Sequence, residues 1–117
     1  MATIKSYTTI EQVCKLVKIL PIESADMRYK AYYDSKNNLK YEPVFTSTII
    51  PLRAYIPCWS LAALLGVIPE PDLVQNSEKT WLIRSWINSY PWSVEGYSNP
   101  VDACYQMILK LNELSLL

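Results

Sequence analysis

The stretch Ser98-Asn99-Pro100-Val101-Asp102-Ala103-Cys104-Tyr105-Gln106-Met107-Ile108-Leu109-Lys110-Leu111-Asn112-Glu113-Leu114 constrains this chain most, because it joins a helix start signal to a single apolar face. Asn99 is the expected cap, its side-chain oxygen accepting from a backbone N–H at the second or third helical position. Pro100 sits where a missing N–H costs nothing, and Asp102 in the first turn favours the positive end of the helix dipole. Cys104, Met107, Ile108, Leu111 and Leu114 recur at three- and four-residue spacing, so the helix must bury one stripe. A domain of packed helix and something broader to pack it on follows.

The broader surface reads as strands. Met27, Tyr29, Ala31 and Tyr33 alternate with Arg28, Lys30 and Tyr32, the polar run Asp34-Ser35-Lys36-Asn37-Asn38 reads as a turn, and Leu39-Lys40-Tyr41-Glu42 is expected to return antiparallel. Pro43 makes that return an edge or a short strand. Residues 46–51 are β-branched and read as extended. Thr80-Trp81-Leu82-Ile83-Arg84-Ser85-Trp86-Ile87-Asn88 fits neither period cleanly; its β-branched and aromatic content favours a strand, with a helix ending near Tyr90 as the alternative. A turn at Ser89-Tyr90-Pro91 would lead back into a strand over 92–97.

Two further helices are expected. Thr8-Thr9-Ile10-Glu11 has the form of a capping box, followed by a helix to about Leu20 with Ile10, Val13, Cys14, Val17 and Leu20 on its apolar face and Pro21 as its stop. A short buried helix over Cys58 to Leu65 is expected next, with Gly66 in the left-handed conformation past its end. Glu70 to Lys79 reads as a surface loop.

At 117 residues with half of them apolar, the chain can bury one core and is short for two, so residues 1–117 are expected to form one domain. Acidic and basic residues balance at 11 each, which removes the cheapest argument for a polyanion or a membrane surface as partner. No apolar run reaches the ~18–20 residues of a spanning helix. Cys14, Cys58 and Cys104 are odd in number and far apart; together with an opening that lacks a signal-type segment, they point to a reduced, cytoplasmic protein with small buried thiols.

The chain has no histidine, which removes the Ser/His/Asp and Cys/His nucleophile arrangements and the commonest zinc ligand. No catalytic, cofactor-binding or metal-ligating set emerges, and no cofactor is expected. Asp26, Asp34, Glu42, Glu70, Asp72, Glu78, Glu95, Asp102 and Glu113 show no paired spacing of the kind that a histidine-free hydrolase working with two carboxylates would need.

Four Trp and nine Tyr remain as the heaviest unassigned load. Tyr29, Tyr33, Tyr41, Trp86 and Trp92 are the candidate interaction surface, since aromatics concentrate at protein interfaces as well as in cores. The mixture of Tyr29, Tyr32, Tyr33 and Tyr41 with Arg28, Lys30, Lys36 and Lys40 also resembles a single-strand nucleic-acid platform, which is the alternative. Burial is expected for Trp59.

Three blocks, Ser24-Ala25-Asp26-Met27, then Ile56-Pro57-Cys58-Trp59-Ser60-Leu61-Ala62-Ala63-Leu64-Leu65 with Ile68-Pro69, then Asn99-Pro100-Val101-Asp102-Ala103-Cys104-Tyr105, resemble a family of small uncharacterised proteins of prophages and mobile elements in gut bacteria. The resemblance implies a compact intracellular α+β domain and carries over no functional residue. The expectation is thus a single small α+β domain, a mostly antiparallel β-sheet packed against N- and C-terminal helices plus a short middle helix. It would act by binding a protein partner, either another protein or a second copy of itself.

Overall fold

The computed structural model describes residues 6–45 and 56–117. The expected extension over 46–51 lies outside the described residues. The elements run α1 (Ile10–Leu16), a 3-10 turn (Ile22–Ser24), β1 (Met27–Tyr33), β2 (Leu39–Phe45), β3 (Ile56–Cys58), α2 (Leu61–Val67), β4 (Pro71–Gln75), β5 (Trp81–Ile87), β6 (Tyr90–Tyr97) and α3 (Pro100–Glu113). The class is α+β as expected, every ladder is antiparallel, and the strands divide between two three-stranded sheets, ordered β2-β1-β3 and β4-β5-β6.

α3 forms as its signals dictate. Asn99 Oδ1 accepts from Asp102 N at 2.8 Å, Asn99 Nδ2 donates to the Asp102 carboxylate at 2.7 Å, and Pro100 opens the first turn. Cys104, Met107, Ile108 and Leu111 are fully buried, and the helix lies across β5 and β6 and touches α2. Leu114 is not part of the stripe: it is the C-cap and is exposed, because Ser115 takes a φ of 58° and turns the chain so that Leu116 N reaches Leu111 O at 2.8 Å.

At the N-terminus the capping box is shifted by one residue. Thr9 caps α1, its hydroxyl accepting from Gln12 N at 3.2 Å while Gln12 Oε1 accepts from Thr9 N at 3.0 Å. Thr8 is engaged elsewhere, accepting Trp59 N on its hydroxyl at 3.1 Å and donating its own N–H to Trp59 O at 2.9 Å. The buried face of α1 is Val13 and Leu16, with Leu20 beyond the helix end; Cys14 and Val17 face solvent, and the regular helix stops at Leu16.

Three other expectations are corrected. Cys58 belongs to β3 and pairs with Met27, so α2 starts later, with Ser60 as cap accepting from Ala63 N at 3.2 Å. Gly66 lies inside α2, only Leu64 of that helix is fully buried, and the left-handed residue after it is Glu70. The supposed loop from Glu70 to Lys79 contains β4, whose Leu73 opposes Ile83 in the core face of the second sheet. β5 is the strand favoured above, and its turn is Asn88-Ser89, one position earlier than expected.

The β4–β5 and β1–β2 turns share one geometry. Asp34 N donates to Asn38 O at 3.0 Å and Asn37 N to Asp34 O at 2.9 Å, with Asn37 at φ 63°; Asn76, Lys79 and Thr80 repeat it, with Lys79 at φ 62°. Each is a type I turn closed by a left-handed bulge residue, started by an Asx side chain that holds two backbone N–H groups. The β5–β6 loop instead has two residues, both left-handed, Asn88 at 51° and Ser89 at 64°, as a type I′ turn requires.

Candidate interaction surface

Directly opposed residues of an antiparallel pair share a face, so the register sorts the first sheet. One face carries Met27/Phe45, Tyr29/Pro43, Ala31/Tyr41 and Tyr33/Leu39; the other carries Arg28/Val44, Lys30/Glu42 and Tyr32/Lys40. Tyr29, Tyr33 and Tyr41 are therefore on one side, as a common surface would require. They do not share an environment.

Tyr29 is core. It is buried against Tyr7 in an edge-on contact with centroids 6.5 Å apart, and its hydroxyl donates to Thr8 O. Burial first, and the neighbouring Cys58 thiol second, push its pKa upward. Tyr29 thus belongs to the fold and drops out of the candidate surface. Tyr33 and Tyr41 lie further out, at 68% and 44% exposure, with Leu39 at 49% and Phe45 at 67%. From Lys30 to Glu42 every strand residue is exposed on both faces, so the outer half of the β1–β2 hairpin stands away from the body. The radius of gyration, 15.4 Å, exceeds the ~13 Å of a compact chain this long, in keeping with a projecting arm.

The apolar face of the arm runs back into a groove of about 640 Å³ where Met27, Pro43 and Phe45 face Leu61, Ala62 and Leu65 of α2, with Tyr7 at one end. Asp26 and Ser60 line it too, and they hold its walls together: the Asp26 carboxylate accepts from Ser60 N at 2.9 Å and from the Ser60 hydroxyl. Trp59, fully buried as expected, donates its indole N–H to Ser24 Oγ at 2.9 Å. The first two sequence blocks are thus stitched to each other by side-chain bonds. The third is stitched to α1, where Gln12 Nε2 donates to Asp102 Oδ1 at 2.8 Å.

Trp86 and Trp92 are parted by the second sheet. Trp92 opposes Ser85 on the face that receives α3, half-buried beside Tyr90 at 4.6 Å, whereas Trp86 opposes Pro91 on the outer face. There Trp86 lies under the Arg84 guanidinium at 6.0 Å, and Arg84 pairs with Asp72 at 3.5 Å. This outer face mixes Asp72, Arg84 and Glu95 with Val74, Leu82 and Trp86, so charged residues interrupt its apolar ones.

The thiols diverge. All three are free; Cys58 and Cys104 are buried, while Cys14 is exposed, against the expectation of three buried thiols. Burial pushes Cys104 up to about 12 and raises Cys58 as well, which leaves neither a nucleophile near neutral pH. No group of acidic residues and cysteines able to hold a metal occurs among the described residues, and no helix there is long and apolar enough to cross a membrane. Compared with known proteins, the chain matches no family profile, no curated protein and no solved structure.

The exposed apolar side of the arm is the feature least legible in the sequence. Exposure of Leu39 follows from the hairpin's reach beyond the body, which no local pattern encodes, whereas Phe45 is exposed at the hairpin's base, opposite the buried Met27.

Proposed function

We propose that this protein acts by binding another protein chain through the β1–β2 arm, and is not an enzyme. The observation that carries the reading is the apolar face of the arm: Tyr33, Leu39, Tyr41 and Phe45, all exposed, continuing into the groove beside α2. Clustered exposed apolar and aromatic residues mark interaction sites, whereas scattered ones are ordinary. The absence of histidine from the chain supports a binding role over turnover. A cytoplasmic protein of prophage or mobile-element origin is the setting that the three sequence blocks suggest.

Photo-crosslinking in the native cell tests this. A photoreactive residue in place of Tyr33 or Tyr41 should form adducts with a protein, and one in place of the exposed Glu95 on the second sheet should not. No protein adduct above that control overturns the proposal. The alternative reading, single-stranded nucleic acid along Lys30, Tyr32 and Lys40 on the arm's other face, predicts nucleic-acid adducts and a mobility shift that weakens steeply with salt.

A further inference from the structure

Proteins usually blunt the outer strand of a sheet, because its free backbone groups invite pairing. Among the described residues nothing pairs with the outer edge of β2. Which of its groups face outward follows from the turn. Asp34 and Asn38 form a hydrogen-bonded pair, so Tyr32/Lys40 and Lys30/Glu42 do too, and the backbone groups of Leu39, Tyr41, Pro43 and Phe45 point away from β1. Pro43 removes only one of those outward donors.

Resting on the reading of the arm as the contact surface, we propose that its partner is a second copy of this chain, paired antiparallel along β2 about a two-fold axis at Tyr41. Charge selects that register. Lys40 and Glu42 flank Tyr41, so an axis there sets each Lys40 opposite the other copy's Glu42, twice. Moving the axis one residue either way places Lys40 against Lys40 or Glu42 against Glu42, and like charges directly opposite are destabilising. The charged pairs fall at non-hydrogen-bonded positions, where side chains approach most closely. Tyr41 then exchanges both backbone bonds with its counterpart. Leu39 donates to the other copy's Pro43 carbonyl, and because Pro43 has no N–H to return, Leu39 O forgoes its ladder bond in each copy. The axis is perpendicular to the sheet, so the two apolar faces, Tyr33, Leu39 and Tyr41 from each copy, become one.

Sedimentation across a concentration series tests the register. Wild type should show a monomer–dimer equilibrium. Lys40→Glu alone and Glu42→Lys alone should each weaken dimerisation at least tenfold, and an equimolar mixture of the two should recover it as a heterodimer, since each variant then offers the charge that the other needs. Thermal melts establish that both variants are folded. Independently of charge, Tyr41→Cys in a Cys14→Ser background should oxidise to a covalent dimer, because hydrogen-bonded partners lie ~5.5 Å apart at Cα, within disulfide reach. A wild type that stays monomeric throughout, or a variant mixture that fails to associate, overturns the pairing. If crosslinks from Tyr33 and Tyr41 then lead to a different protein, the binding role survives and only the identity of the partner falls.

Discussion

Ser24, Asp26 and Ser60 are small polar residues whose value lies in where they are anchored. Ser24 Oγ satisfies the indole N–H of the buried Trp59, so Ser24→Ala leaves a polar group short of a partner in a partly buried site. The expected loss is about 1 kcal/mol, and in a Trp59→Phe background the same substitution should cost much less; a double-mutant cycle by urea denaturation reads the difference. Thiol chemistry is equally local. Cys14 should react with a maleimide in the native protein, whereas Cys58 and Cys104 should react only after denaturation, as counted by mass spectrometry. Native labelling of Cys104 would contradict its burial on the inner face of α3.

α3 and the β5–β6 hairpin carry opposite lessons at the scale of elements. In α3, Ile108 is wholly buried between the helix and the second sheet, and Ile108→Ala should cost ~2–5 kcal/mol through the cavity left behind. In the hairpin, Ser89 is held at φ 64°, where a residue with a Cβ is strained, so Ser89→Gly should stabilise by about 0.5–1 kcal/mol. Chemical denaturation at neutral pH measures both. An unchanged midpoint for the Ile108 variant would mean that the stripe is not the packing face.

Alkaline sensitivity belongs to the whole molecule, because the groups responsible sit in different elements of one core. Cys104, Cys58, Tyr29 and Tyr105 all have pKa values raised by burial, so the folded state keeps protons that the unfolded chain releases. The stability they protect is complete below the unfolded thiol pKa of ~8.5. It is lost as pH rises, for Cys104 across the interval up to about 12. The urea midpoint should therefore fall steadily above pH ~9. Cys104→Ala should flatten that fall, and an equally steep decline in the variant would acquit Cys104.

α3 with its Asn99 cap, the β1–β2 hairpin with Pro43 in its outer strand, and the burial of Trp59 were all legible in sequence, because capping, period and proline geometry act over a few residues. Long-range contacts decided the rest. Thr8 reads as a helix cap until Trp59 claims its hydroxyl and the cap falls to Thr9, and the packing of α1 through Val13 and Leu16 leaves Cys14 in solvent. β4 has only five residues and becomes a strand by pairing with β5. Tyr29 and Tyr41 stand on the same face of the same hairpin, and their local sequence does not distinguish them. Only the N-terminal segment that covers Tyr29 and stops short of Tyr41 makes one a core residue and leaves the other exposed.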